Sequence, residues 1–159
     1  MRFAADATLG KLVRRLRSVG FDTVRCGQRD VLAFYDANSP DRVILTRTKL
    51  VQARFSDRVL VFVRDDDPQH QFLQVLKDLN IAFEDLRPFS RCLECNLVLY
   101  RVDKAAIVGK VPIYVWQRHH EFFRCDGCQR IFWAGSHRLR MQARLETVFN
   151  SKENSDHER

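Results

Sequence analysis

Through its first 88 residues the chain alternates two hydrophobic patterns. A short apolar run at residues 2–5 closes at Asp6 and is followed by Leu9, Leu12, Val13, Leu16 and Val19, the i, i+3, i+4, i+7 spacing of a helix with one buried face. Thr8 is the expected N-cap of this helix and Gly20 its stop. Residues 21–26 predict a strand, 30–37 a second helix, 43–46 a strand buried on both faces and 49–55 a short helix. The most strand-like run covers 59–63, Pro68 opens a helix reaching residue 79, and 81–86 predict a last strand. Alternation in this order predicts an α/β architecture, a mostly parallel sheet flanked by helices.

Beyond residue 88 the pattern changes. Residues 97–100 and 113–116 are short apolar runs that read as strands, and Ser136 is placed to cap a C-terminal helix running to 149. Residues 150–159 are polar throughout and predict a disordered tail. The expected organisation is an α/β domain over 1–88, a second unit with a C-terminal helix over 89–149, and the tail over 150–159.

Four of the five cysteines fall into two Cys-x-x-Cys pairs, Cys92/Cys95 and Cys125/Cys128. Each pair sets two thiolates on one side of a tight bend, so two pairs can close a tetrahedral site around a structural zinc, and residues 90–138 read as a zinc ribbon. Asn96 and Gly127 supply residue types that tolerate a left-handed backbone in such turns. The alternatives are two disulfides or a redox-active pair. No apolar leader is visible, since Asp6 and Lys11 interrupt any such run. A cytoplasmic, reducing location is therefore expected, which disfavours disulfides, and a redox motif needs no second copy. Cys26 stands outside both pairs and reads as a small buried apolar residue.

With 159 residues the chain can hold one ordinary domain and a small metal-stabilised module. Its 27 Lys and Arg against 20 Asp and Glu give a formal net charge of +7, which points to a polyanionic partner or to a solubilising surface. No apolar stretch approaches the length of a membrane span. In the ribbon, Arg and Lys alternate with Tyr114, Trp116, Phe122, Phe123, Phe132 and Trp133, a composition suited to single-stranded RNA, although most of these aromatics are expected to form the ribbon's own core.

Ligands of open parallel sheets bind beyond the carboxyl ends of the strands. Asp6 ends the first strand, Asp30 opens the second helix, Thr46-Arg47-Thr48 ends the third strand, and Asp65-Asp66-Asp67 follows the fourth. Together they can form a carboxylate cluster holding Mg²⁺ or Mn²⁺ for phosphodiester hydrolysis. Each acid also has a structural explanation: Asp30 can cap its helix, and the acidic run can be a solvated turn. Asp6 is the hardest to explain so, because a carboxylate directly after a buried strand is costly unless paired or metal-bound. Lys11, Arg14 and Arg15 lie beside the apolar stripe of the first helix, with Arg17 at its edge, where they can meet phosphates or simply face solvent.

Phe3-Ala4-Ala5-Asp6, Leu9-Gly10-Lys11-Leu12, Leu16-Arg17, Gly20-Phe21-Asp22, Ile44-Leu45-Thr46-Arg47, Arg91-Cys92-Leu93-Glu94-Cys95-Asn96, Cys125-x-x-Cys128 and Trp133-x-Gly135-Ser136-His137 with Met141 occur in that order. The combination resembles the Mut-seven C-terminal RNase domain family, whose members are PIN-like nuclease domains with a zinc ribbon. The resemblance implies a PIN-like fold and a ribonuclease with divalent metal at its carboxylates. Asp6 matches the first family acid, and Asp22 and Asp30 fall where further acids are expected. The family pattern continues Thr-Arg with Asp, whereas this chain has Thr48, and a hydroxyl is a far poorer Mg²⁺ ligand than a carboxylate.

The expected function is thus a metal-dependent ribonuclease acting on single-stranded RNA, with Asp6 as principal ligand, Asp30 and Asp66 assisting, and Lys11, Arg14 and Arg47 holding phosphates. His137, at the start of the C-terminal helix, can contact phosphate, act as an acid or base, or lock the ribbon to the domain through a hydrogen bond. The alternative is a catalytically silent RNA-binding or adaptor module.

Overall fold

The structure, a computed structural model, describes residues 1–27, 30–38 and 40–133. His137, the helix expected from Ser136 and the tail over 150–159 lie outside the described residues.

Strands β1 (Arg2–Ala5), β2 (Asp22–Arg25), β3 (Val43–Thr46) and β4 (Leu60–Phe62) form one parallel sheet in the order β2-β1-β3-β4. From β1 the chain moves outward to β2, then crosses back over β1 to β3 and β4, so its direction of travel reverses between β1 and β3. Between the strands run α1 (Gly10–Ser18), α2 (Val31–Asn38) and α3 (Lys49–Arg54), and α4 (Pro68–Asp78) follows β4.

Side chains of a strand alternate between faces, and the two cores show it. Phe3 and Ala5 of β1 pack with Leu12, Val13 and Leu16 of α1 and with Phe72, Val75 and Leu76 of α4. Ala4 faces the other way, toward Phe34 and Tyr35 of α2, Val51 of α3 and Phe55. Cys26 is buried in this second cluster. The result is the expected α/β sandwich of helix, parallel sheet and helix. No helix among the described residues is long and apolar enough to cross a membrane.

Three local expectations change. Thr8 caps nothing, because the chain winds straight off Asp6 into a 3-10 turn, Ala7–Leu9, closed by the Leu9 amide on the Asp6 carbonyl at 3.1 Å, and α1 begins only at Gly10. Residues 81–86 form no strand. Ile81 and Leu86 both drop into the α1/α4 core, and the 3-10 turn Phe83–Asp85 joins them, held by the Asp85 carboxylate accepting from the Ala82 amide at 2.9 Å. Residues 113–116 are helical, within α5 (Ile113–Arg118). Pro112 starts it, the Pro112 carbonyl accepts from the Val115 and Trp116 amides, and the buried positions do not alternate.

The second sheet is antiparallel, in the order β5 (Tyr100–Val102), β6 (Phe122–Arg124), β7 (Ile131–Trp133). The apolar stretch at 97–100 thus contributes mainly its last residue to a strand, while Val98 bridges to Arg91.

β2 is an edge strand with unpaired backbone groups, and the first cysteine turn covers it. The Thr23 amide donates to Asn96 Oδ1 at 3.0 Å, and Asn96 Nδ2 donates to Asp22 Oδ1 at 2.6 Å. Arg42 donates two parallel hydrogen bonds to the Asp22 carboxylate at 2.8 and 3.1 Å. Arg17 reaches the carbonyls of Thr23 (3.0 and 2.8 Å), Leu93 (2.7 Å) and Glu94 (2.9 Å), and Arg14 pairs with the Glu94 carboxylate. Arg91 donates to the carbonyls of Gly20 and Asn96. Gly20 is required at this junction: its φ is +96°, and a Cβ there would lie 2.5 Å from the Arg87 carbonyl oxygen.

Burial raises the pKa of Asp22, but the hydrogen bonds from Arg42 and Asn96 outweigh it and hold the carboxyl below its ordinary value. A depressed folded-state pKa contributes stability that is complete above the unfolded value, near 3.9, and is lost as pH falls below it. Asp22→Ala is expected to lower unfolding free energy by about 2 kcal/mol at neutral pH, because Arg42 and Asn96 lose their acceptor. Urea titrations of both proteins should show this difference shrinking below about pH 4.

Candidate functional site

Two groups of functional side chains emerge. The first is the four-cysteine cluster. The Asn96 amide donates to the Cys92 carbonyl (3.0 Å) and the Cys92 amide to the Leu97 carbonyl (2.8 Å). The second turn repeats this pattern, with Gln129 on Cys125 (2.9 Å) and Cys125 on Arg130 (3.2 Å). The residue after each pair adopts a left-handed backbone, Asn96 with φ 61° and Gln129 with φ 59°. Gly127, expected to serve that conformation, does not adopt it. Its lack of a side chain instead gives room for close packing, since a Cβ there would lie 3.0 Å from Cys95 Sγ and 3.0 Å from Leu97 Cδ1.

The four Sγ atoms lie within 4.8 Å of one another, with Cys92 and Cys128 3.8 Å apart. Tetrahedral zinc with Zn–S bonds of about 2.3 Å requires sulfur separations of about 3.8 Å, so the cluster fits the ion. A disulfide requires about 2.05 Å, and all four cysteines are free thiols. Cys92 and Cys125 are fully buried and Cys95 and Cys128 partly so. Burial, reinforced by hydrogen bonds with the other three thiols, pushes the Cys95 thiol up to about 12. At Cys125 burial acts in the same sense, but the amides of Cys128 and Gly127 prevail and bring it down to about 7. An ion held by all four sulfurs would have its tetrahedral shell filled by the protein, a structural site with no open position for substrate.

The second group lies on the strand-end rim. Asp6 is 4% exposed at the end of the central strand β1, next to the point where the chain reverses its travel across the sheet. Its Oδ1 lies 2.9 Å from the Tyr35 hydroxyl. Its Oδ2 accepts from Thr46 Oγ1 at 2.8 Å and from the Arg47 amide at 2.6 Å, with Thr48 Oγ1 at a longer 3.4 Å. Thr46 Oγ1 in turn accepts from the Thr48 amide at 3.0 Å. The fully buried Tyr35 hydroxyl also lies 2.9 Å from the Leu45 carbonyl oxygen, and burial together with Asp6 raises its pKa.

The other expected residues face solvent or have partners of their own. Asp30 is exposed and accepts from the Ala33 amide at 3.0 Å in the first turn of α2. Asp66, its side chain 90% exposed, pairs at 2.6 Å with the guanidinium of Arg47, whose amide holds Asp6. Asp67 caps α4 through the amides of Gln69 and His70, and Asp65 accepts from the Asp67 amide at 2.7 Å. Lys11 is exposed on α1, Arg14 is engaged by Glu94, and Asp22 belongs to the junction with the cysteine turn. Among the described residues, the cysteines alone bring three or more candidate metal ligands together.

A carboxylate has about four acceptor positions. Asp6 has three well-formed hydrogen bonds, two of them filling Oδ2, which leaves one position on Oδ1 among the described residues. Among the described residues the rim forms no preassembled multi-carboxylate cage, and Asp6 keeps one acceptor position beyond its protein donors. Tyr35 escaped the sequence reading, and Thr46 was placed on the rim without its role as a donor to Asp6. The available signal was chemical, since a buried tyrosine and a threonine ending a buried strand must each find a polar partner.

The described residues form a parallel α/β domain with a buried carboxylate at its switch point and a tetra-cysteine cluster joined to its edge. The family model Mut7-C RNAse domain matches residues 1–145, and the chain belongs to that family. No curated protein matches the chain, and no solved structure does.

Purified protein is expected to carry one equivalent of zinc by elemental analysis. Cys92→Ser should lose the metal and lower the melting temperature. Prolonged chelation of the wild type should do the same, because metal binding here is linked to folding.

Proposed function

We propose that the protein is a ribonuclease that cleaves phosphodiester bonds of single-stranded RNA at the strand-end rim, with Asp6 as the carboxylate on which cleavage depends. The observation that carries this proposal is the position of Asp6, on the central strand beside the switch point of the sheet, in a chain of an RNase-domain family. Its open acceptor position suits Mg²⁺ or Mn²⁺ that completes its shell with water and RNA phosphate oxygens, and such an ion polarises the phosphoryl group and acidifies bound water. Lys11 and Arg47 offer cations to the RNA backbone from either side, and Asp30 and Asp66 are exposed acids able to act through water. In the second unit Tyr114 is 61% exposed and Trp133 is 36% exposed, which supports stacking with unpaired bases. Zinc holds the cysteine turns, and four reduced thiols suit a cytoplasmic setting.

One observation favours a second function, RNA binding without cleavage. Thr48 stands where the family pattern has an acid, and its hydroxyl turns toward Asp6 at 3.4 Å.

Asp6→Asn separates the two without disturbing the packing. An Asn amide oxygen can keep the hydrogen bonds from Thr46 and Arg47, while its NH₂ donates to the Tyr35 oxygen and the Tyr35 hydroxyl donates to Leu45. With end-labelled single-stranded RNA, wild type is expected to cleave in Mn²⁺ or Mg²⁺ and not in EDTA. Asp6→Asn should reduce the rate about a hundredfold or more at unchanged melting temperature. Equal background in both proteins, with RNA still bound, establishes the binding function instead, and Thr48→Asp then becomes the variant expected to gain cleavage.

A further inference from the structure

Gly10 begins α1 with ordinary right-handed helical angles, φ −56° and ψ −37°, so nothing in its backbone calls for glycine. Alanine is a better helix former in such a position. Beyond its own helix backbone and chain neighbours, the three nearest atoms that a Cβ at Gly10 would meet all belong to the side chain of Arg25, with Nη1 at 2.8 Å, Cζ at 3.9 Å and Cδ at 4.0 Å. The glycine thus makes a seat for a guanidinium. Arg25 ends β2, in register with Ala5, the residue before Asp6, and the Cys26 amide donates to the Ala5 carbonyl at 2.8 Å. The seated cation therefore stands on the same rim as Asp6.

Arg25 is poorly placed for the free protein. It is exposed, and its guanidinium has no hydrogen-bond acceptor or carboxylate partner among the described residues. Its charge acts against that of Arg17 and helps to lower the Arg17 pKa, after the larger effect of burial. It also lies against the first residue of α1, the end of a helix where a positive charge is unfavourable. A glycine that gives up helix propensity to seat a cation with no acidic partner among the described residues makes sense if an anion arrives to meet it.

We propose that Arg25, seated on Gly10, is a substrate-positioning residue that grips an RNA phosphate beside Asp6. The inference deepens the ribonuclease proposal and rests on RNA binding at this rim. Arginine suits the task because its planar fork can hold two phosphate oxygens at once. With Lys11 and Arg47, Arg25 would place cations on several sides of the Asp6 position, fixing the path of the strand across the sheet end.

The test uses the full chain, fluorescein-labelled oligouridylate, and binding titrations over a range of salt concentrations, for wild type, Arg25→Gln, Gly10→Ala and the double variant. Arg25→Gln is expected to reduce the slope of log K against log salt by about 0.7, the loss of one single-strand phosphate contact. Gly10→Ala leaves the net charge unchanged yet should reduce the slope by a similar amount, because the methyl group displaces the guanidinium. Its melting temperature should be equal to wild type or higher. The double variant should bind no more weakly than Arg25→Gln alone. Wild-type slope in Gly10→Ala, or additive losses in the double variant, would overturn the seat, while wild-type binding that survives in all variants would overturn the role of Arg25 and leave the ribonuclease proposal standing. Failure of wild type to bind the RNA at all would overturn both.

Discussion

A carboxylate taken out of water on the central strand of a parallel sheet has to be surrounded by donors, since a buried charge left unpaired is worth several kcal/mol of instability. Asp6 meets that demand with groups from three parts of the chain: Tyr35 from α2, Thr46 from the end of β3, and the Arg47 amide from the turn beyond it. One side chain therefore ties the helix on one face and the neighbouring strand to β1. It also fixes the path of the chain after β3, because the Thr46 hydroxyl that donates to Asp6 accepts from Thr48. The hydrogen bonds that hold Asp6 in place also tie the centre of the rim together. Farther out, Lys11, Asp30 and Asp66 are exposed, with Asp30 held by the Ala33 amide and Asp66 by Arg47.

The opposite problem arises at the sheet edge, where β2 offers backbone groups that need a partner. Asn96 answers it with an amide side chain that acts as both acceptor and donor, and it reaches β2 from a left-handed position immediately after the first cysteine pair. The backbone bend that brings Cys92 and Cys95 together is thus the same bend that aims Asn96 at Thr23 and Asp22. A cation held by the four thiols stabilises this bend, and with it the covering of the edge. The cluster supports the α/β sheet as well as its own small unit, although it has no opening for chemistry.

Much of this was legible in the sequence because it rests on local patterns. The stripe through Leu9, Leu12, Leu16 and Val19, the buried run at 43–46 and the paired cysteines each carry their signal within a few residues, and α1, β3 and the tetra-cysteine cluster appear where expected. Residues 81–86 and 113–116 misled because apolar, β-prone residues do not by themselves fix a strand. In the first case Ile81 and Leu86 turn into one core across a 3-10 turn, and in the second Pro112 imposes a helix on β-prone residues. The rim was legible as a place, from strand ends and acids, but not as a network. Tyr35 lies 29 positions from Asp6 in sequence and Thr46 lies 40, and no spacing rule links residues that only the sheet topology brings together. Asp22 shows the converse, since its place in a motif suggested the rim while its contacts assign it to the edge.

Thr48 draws these threads together. Two carboxylates facing each other at the end of adjacent strands repel and are held apart by a cation or by protonation. A threonine in place of the second acid removes that repulsion and turns a hydroxyl toward Asp6 instead. Most acceptor positions of Asp6 are then filled without any ion, because the donors around it come from the protein itself. In the proposed ribonuclease a cation would then be recruited largely by the RNA's own phosphates, and the residues that fix the RNA backbone would matter to cleavage as much as the carboxylate. On such a rim, specificity and activity would depend on the same few arginines and lysines. That dependence explains why the chain would keep an ordinary helical position as glycine to seat one of them.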